Sequence, residues 1–295
     1  MNYFPHLTAP IMSEVRKHIA LICNPAIEKE KSILLADAIA VLLKSKNISF
    51  SLFTTYWPQV WTGITEAWII GGDGTVNYFI NQYPDLQLPL TVFAAGSGND
   101  LHWTLYGDIT MEQQVERVLQ AQPRPIDAGL CNGQLFLNGV GIGFDGAIVR
   151  AVEGKKKVAG KATYLLSILK NIFTYKEKYC QLRLDHETLA QDCFMISVAN
   201  GARYGGSFQV APKASVTDAL LDVMVVGKIA AGQRIRYLPV IEKGAHLQLP
   251  FVHYRHTTQV TIESAVPLHA HVDGEYCYAS LFHISCLPNR FSFLL

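Results

Sequence analysis

Trp68-Ile69-Ile70-Gly71-Gly72-Asp73-Gly74-Thr75-Val76-Asn77 reads as a buried strand, a glycine turn carrying one carboxylate, and the start of a helix. Three glycines in four positions let the backbone approach a ligand closely. Exposed N–H groups of a turn and a helix start attract anions, above all phosphate. Asp73 would repel a bare phosphate, so its presence argues for a metal ion between carboxylate and phosphate. The competing reading is a tight strand-to-helix turn without a ligand. No Gly-x-x-x-x-Gly-Lys-Ser/Thr loop occurs in the chain, so a nucleotide bound here would use another phosphate-loop design.

Outward from this stretch, the first half alternates strand and helix. Residues 1–17 form a loose lead-in. His18–Cys23 is a short apolar strand ending in Asn24-Pro25, Glu28–Lys44 is helical, and Ile48–Phe53 alternates as a strand. The strand Ala67–Ile70 leads to the glycine loop, and a helix Val76–Gln82 stops before Pro84. Leu90–Ala95 is a further buried strand, running into Gly96-Ser97-Gly98-Asn99-Asp100, a second small-residue loop with a carboxylate. Such alternation implies a parallel sheet with helices on its faces, and ligands bind where its strands end. Met111–Gln120 is a helix ended by Pro123 and Pro125, with Asp127 in the turn that follows.

From Leu130 onward the pattern turns to short strands: Leu135–Asn138, Tyr179–Leu184, Asp192–Ala199, Leu221–Val226, Gln259–Ile262 and Ser280–Cys286, with one clear helix near Ala162–Phe173. The fold class is α/β plus β: an N-terminal Rossmann-like α/β domain with a parallel sheet, then a C-terminal β-sandwich-like domain with few helices. The expected boundaries are 1–128, 129–286, and a terminal strand over 287–295 that returns to the first domain. Gly141-Ile142-Gly143-Phe144-Asp145-Gly146 matches a dinucleotide fingerprint. It lies past the alternating section, and Lys161–Lys176 supplies no acidic residue at the required spacing.

The 295 residues are 49% hydrophobic with a net charge of +1, enough for two cored domains and without the charge that marks a nucleic-acid partner. No apolar run reaches membrane-spanning length; Ile33–Leu43 comes nearest and contains Asp37. The N-terminal stretch, with Pro5 and Pro10, shows no basic-then-apolar pattern, so no export is expected. The six cysteines form no Cys-x-x-Cys and sit mostly in apolar strands, which fits reduced thiols in the cytoplasm. The late histidines His246, His253, His256, His269, His271 and His283 fit solvated strand faces better than a ligand set.

The two loops together resemble the diacylglycerol kinase catalytic family, which includes sphingosine kinases and bacterial soluble lipid kinases. Asn24-Pro25, Gly71–Asn77 and Gly96–Asp100 look like its first three motifs. Asn138–Asp145 resembles the opening of its second domain. Val198-Ala199-Asn200-Gly201, Tyr204-Gly205-Gly206 and Ala211-Pro212-Lys213-Ala214 resemble its long C-terminal motif, and Asp273-Gly274-Glu275 its last. The sequence departs from the family pattern at Ala26–Lys29, Tyr78, Ala95, Ser97 and Ala219, and in a short segment between Thr54 and Trp68.

The resemblance implies an ATP-dependent lipid kinase, with diacylglycerol the first expected acceptor. The alternatives are an NAD kinase-like small-molecule kinase and a non-catalytic lipid-binding relative. It implies nucleotide contacts from Asn24, Gly71, Gly72, Gly74, Thr75, Asn77, Gly96, Ser97, Gly98 and Asn99. It implies an active-site Mg2+ network on Asp73, Asp100 and Asp127, and a structural Mg2+ on Asp218 with Ser215 and Leu220. Asp273 would be the general base, with Glu275 beside it. The expected partners are a lipid at a membrane surface and a second copy in a homodimer. Lys155-Lys156-Lys157 and Lys161, ahead of the apolar helix at Tyr164–Phe173, suit an anionic membrane; the competing reading is a solvated loop before a core helix.

Overall fold

The computed structural model describes residues 17–24, 29–152, 171–206 and 208–295. Pro25 and the basic segment 155–161 expected to meet a membrane lie outside the described residues, as does most of the helix expected at 162–173. Among the described residues no helix is long and apolar enough to cross a membrane.

The protein has a two-domain fold with a sheet-rich C-terminal part. In the first half, β1 (His18–Cys23) pairs in parallel with β2 (Ser49–Phe53) and β3 (Glu66–Gly71), and β3 pairs in parallel with β4 (Leu90–Ala94). All six residues of β3 are buried, as expected of a central parallel strand covered on both faces. Helix α1 (Lys29–Ser45) carries Glu30 in its first turn and Lys44 in its last, matching the helix dipole. The glycine loop passes directly into α2 (Asp73–Gln82), so Asp73 is already helical and the helix starts three residues earlier than the sequence pattern predicts.

The second loop opens a short helix, α3 (Asp100–Tyr106), which the sequence reading lacks. Helix α4 (Met111–Gln120) has the predicted bounds because a capping box defines its start: Gln113 N–H donates to Thr110 Oγ1, and Thr110 N–H donates to Gln113 Oε1. The following prolines do not introduce a turn. They begin strand β5 (Pro123–Cys131), so Asp127 lies inside a strand. Proline is tolerated there because it occupies the strand's first residues.

Beyond β5 come β6 (Gln134–Phe136), β7 (Gly139–Gly143), α5 (Phe144–Val152), β8 (Lys178–Leu184), β9 (Thr188–Ala199), β10 (Leu221–Gly227), α6 (Ala231–Glu242), β11 (Val252–Thr257), β12 (Gln259–Val272) and β13 (Glu275–Leu294). β7, α5, α6 and β11 are additions to the sequence reading, and the late strands run longer than it expects. β9 and β12 each serve two layers. The early part of β9 and of β12 pairs with β8, and the later part of each pairs with β7. This double membership wraps the sheet around a second core that includes Leu182, Ile196, Val223, Ile262 and Phe282.

β13 joins the halves. It pairs with β12 and β5, and at Phe293 it lies parallel to Leu90 of β4. Phe291, Phe293 and Leu294 belong to the first-half core with Trp68 and Phe93. Each fully buried aromatic contributes roughly 1.5–3 kcal/mol.

The glycines of the dinucleotide-like stretch have a packing explanation. A Cβ on Gly146 would lie 2.3 Å from both the Ala270 nitrogen and the His269 carbonyl carbon, so α5 rests directly on the backbone of β12. Gly146→Ala should therefore push α5 off β12 and cost about 1–3 kcal/mol. A urea midpoint equal to wild type would overturn this account.

Candidate active site

The two glycine loops meet backbone to backbone. A Cβ on Gly96 would fall 2.4 Å from the Gly72 Cα, and one on Gly72 would fall 2.9 Å from the Gly96 Cα. Only glycine at both positions allows this approach. Asn99 holds the second loop closed: its Oδ1 accepts the Gly96 N–H at 2.9 Å, its Nδ2 donates to the Gly96 carbonyl at 2.8 Å, and its own φ is +57°. Across the gap, Asn24 Nδ2 donates to Thr75 Oγ1 at 3.0 Å. The start of α2, at Gly72, has no side-chain cap, leaving a helix N-terminus suited to an anion.

Asp73 turns away from its own helix to serve α3. Its carboxylate accepts the N–H groups of Asp100 at 3.1 Å and Leu101 at 2.9 Å, and Asn138 Nδ2 at 3.3 Å. Burial raises its carboxyl above the usual range; neighbouring Asp100 adds to that rise, and the donated hydrogen bonds oppose it. Asp100 is buried and paired with Arg203, whose Nε donates at 2.9 Å, and it also accepts the Gly206 N–H at 3.0 Å. Arg203 in turn lies over the Trp103 ring, 4.3 Å from its centroid. The carboxylates of Asp73 and Asp100 thus stand together at the start of α3.

Asp127 has other partners. Its oxygens accept the N–H groups of Ala219 at 2.7 Å and Asn289 at 2.8 Å. It ties the 215–220 loop and β13 to β5, whereas the sequence reading groups it with Asp73 and Asp100. Among the described residues no three acidic, histidine or cysteine side chains form a metal-holding cluster. In the 215–220 loop, Asp218 Oδ1 accepts the Leu220 N–H at 3.1 Å, and Ser215 Oγ lies 3.2 Å from Thr217 Oγ1.

The donor chemistry does fit a magnesium ion shared with phosphate. Such an ion needs only one or two protein carboxylates, the phosphates supplying the rest. A Cβ on Gly98 would sit 2.9 Å from Asp73 Oδ2 and 3.5 Å from Asp100 Oδ2. Glycine at 98 therefore lets the second loop pack closely against both carboxylates, and Asn138, whose amide reaches Asp73, has a buried Oδ1 without a hydrogen-bond partner.

Asp273 and Asn77 have a different setting from the one the sequence suggests. Asp273 and Gly274 have φ of +48° and +88° and close the β12–β13 hairpin, with Val272 opposite Glu275. The Asp273 carboxylate accepts four donors: the N–H groups of Leu137 at 2.8 Å, Asn138 at 3.0 Å and Gly139 at 2.8 Å, and Asn77 Nδ2 at 3.2 Å. A carboxylate has about four lone-pair sites, so Asp273 is fully engaged. Burial raises its carboxyl, and the four donors act against that rise. Asn77 also donates to the Leu135 carbonyl at 3.0 Å; it faces the second half and not the glycine loops. Glu275 is exposed, and its Oε1 would lie 3.6 Å from a Cβ on Gly74. It is the hairpin carboxylate that fronts the start of α2.

Sequence reasoning missed Arg203, Asn81 and His271. Asn81 accepts the Leu135 N–H at 2.9 Å and donates to its carbonyl at 3.0 Å. His271 is buried, as is His246, so these two histidines are not on solvated strand faces. A period-two reading puts His269 and His271 on one face of β12, and that signal was available.

Next to the hairpin lies a mostly apolar cavity of about 90 Å³, lined by Phe144, Ile148, Phe194, Val226, Tyr237 and Phe251. Asp145 and Tyr204 supply polar groups in its wall.

Residues 18–131 match the family described as Diacylglycerol kinase catalytic domain, and residues 138–295 match the YegS C-terminal NAD kinase beta sandwich-like domain. A Chromohalobacter salexigens protein named "Probable lipid kinase YegS-like" is 26% identical over 231 residues, 77% of this chain and 74% of the relative. A Staphylococcus aureus (strain Newman) protein named "Putative lipid kinase" is 37% identical over 145 residues, 47% of each chain. A diacylglycerol kinase crystal structure from Bacillus anthracis str. Sterne superposes with a TM-score of 0.71 at 21% identity, covering 95% of this chain and 96% of the other. That likeness is one of fold.

Asp273→Asn would aim an amide N–H at backbone N–H donors and leave them unsatisfied, which costs about 1–3 kcal/mol each. The variant should melt at a lower temperature than wild type in a calorimetric scan. An unchanged melting temperature would remove Asp273 as the anchor of this site.

Proposed function

The chain belongs to the diacylglycerol kinase catalytic family, and on that premise we propose that it transfers the γ-phosphoryl group of ATP to a lipid hydroxyl, with diacylglycerol the first candidate. The observation that carries this reading is the close meeting of the two glycine loops beside Asp73 and Asp100, with an apolar cavity on the other side of the Asp273–Glu275 hairpin. The first half then acts as a Rossmann-like nucleotide domain and the second as the lipid domain.

In this proposal Gly71, Gly72, Gly74 and Thr75 border the phosphates from one side, and Gly96, Ser97, Gly98 and Asn99 from the other. Phosphoryl transfer depends on alignment and charge neutralisation more than on covalent chemistry, and rigid loops held by Asn24 and Asn99 suit that demand. Mg2+, held by Asp73 and Asp100 at the start of α3, would neutralise phosphate charge. Arg203 offsets the negative charge of Asp100 and keeps α3 in place. A second ion at Asp218 with Ser215 and Leu220 would have a structural role. The acceptor hydroxyl is a weak nucleophile, so a carboxylate near it assists by taking its proton. Asp273, with every lone pair engaged, serves to set the hairpin. Glu275 has the accessible carboxylate and is assigned the proton.

An NAD kinase-like activity remains the second reading, since such enzymes share the Gly-Gly-Asp-Gly loop. The apolar cavity supports the lipid over a dinucleotide acceptor. A peripheral site at a membrane, in the cytoplasm, follows from a lipid acceptor; a homodimer is an assembly to be measured by sedimentation.

Incubation with γ-labelled ATP, Mg2+ and extracted bacterial lipids should yield a labelled lipid on chromatography. Glu275→Gln should retain nucleotide binding and lower turnover by roughly 10²–10⁴. Label on added NAD and none on lipid would overturn the reading, and full turnover in Glu275→Gln would move the base elsewhere.

A further inference from the structure

His271 lies between the cavity and the hairpin turn and has a partner on each side. Its Nε2 is 3.0 Å from Asp145 Oδ2, and the Gly274 N–H reaches its Nδ1 at 3.2 Å. The Gly274 amide can only donate, so Nδ1 is the bare nitrogen and Nε2 carries the hydrogen given to Asp145. The His271 side chain is 4% exposed and that of Asp145 23%. The imidazole is thus the buried middle of this chain of bonds, with Asp145 in the cavity wall at one end and the Gly274 turn at the other. Tyr204 packs its ring edge-on against the imidazole, 5.5 Å between centroids, and its hydroxyl donates to Ser197 Oγ at 2.8 Å. Room for the Asp145–His271 bond depends on Gly141, where a Cβ would fall 2.3 Å from Asp145 Oδ2 and 2.4 Å from His271 Nε2.

Gly274 sits between Asp273, which anchors the hairpin, and Glu275, which fronts the start of α2. A contact made to Asp145 by a cavity ligand would thus reach the turn through one imidazole. We propose that His271 is a positioning residue that couples occupancy of the apolar cavity to the placement of the Asp273–Glu275 turn. The inference rests on the lipid-kinase reading and adds a coupling to it: a polar headgroup at Asp145 stiffens the turn at which phosphoryl transfer is completed.

Two substitutions divide the link. The Asn Oδ1 occupies the place of the imidazole Nδ1, so His271→Asn keeps an acceptor for Gly274 and loses Asp145. The Gln amide occupies the place of Nε2, so His271→Gln keeps Asp145 and loses Gly274. Both should lower kcat on labelled lipid at least fivefold, with lipid KM and MgATP Kd each within twofold of wild type. Exchange of the 272–276 amides with deuterium should speed up in His271→Gln only. Wild-type kcat in both variants overturns the proposal. So does a parallel loss of kcat, MgATP affinity and melting temperature, which would mark a purely structural histidine. Should wild type bind MgATP yet label no lipid, the kinase reading fails separately, and exchange alone decides the link. A short-chain diacylglycerol in micelles should then slow 272–276 exchange in wild type and not in His271→Asn; equal exchange with and without it refutes the coupling.

Discussion

The Asp273 carboxylate, filled by four N–H donors from two other segments, is the joint on which the rest of the site depends. Three consecutive backbone amides, from Leu137 to Gly139, converge on it, and Asn77 brings α2 to the same point. Remove that carboxylate and three backbone donors lose their acceptor at once. The same device recurs at smaller scale. Asp73 gathers the start of α3 and Asn138, Asp100 gathers Arg203 and Gly206, and Asp127 gathers Ala219 and Asn289. Each carboxylate binds a segment remote in the chain, so charge and connectivity are set together.

This arrangement explains where a chain of apolar runs and small-residue loops could be read and where it could not. The buried strands around Trp68 and Leu90 and the helix Met111–Gln120 are legible because local signals define them: continuous apolar runs in the strands, a capping box in the helix. Helix α3 has no such signal, since its start is satisfied by Asp73, far back in the sequence. β5 is masked by its prolines, which usually mark a turn and here occupy the first positions of a strand.

The site divides in the same way. The glycines were legible because their crowding has few other causes. The grouping of Asp73, Asp100 and Asp127 came from the family resemblance; the structure adds that backbone amides and Arg203 engage Asp73 and Asp100, and that Asp127 accepts the amides of Ala219 and Asn289. Asp273 was found through its motif, but its role as an anchor depends on donors more than a hundred residues away. The Gly-x-Gly-x-x-Gly stretch is a matter of contact: Gly146 allows α5 onto β12, and Gly141 admits the pair of His271 and Asp145.

β13 carries a consequence for how the protein is made. Its Phe291, Phe293 and Leu294 belong to the core of the first half, and Phe293 lies beside β4. On the ribosome, the first 130 residues emerge with that side of their sheet uncovered, and they stay so until residues 291–294 have been synthesised. Domain-by-domain folding during translation, the usual protection of a long chain, therefore leaves the first half short of these core side chains until then. An apolar edge uncovered for most of the synthesis time is the kind of surface at which unfinished chains pair wrongly.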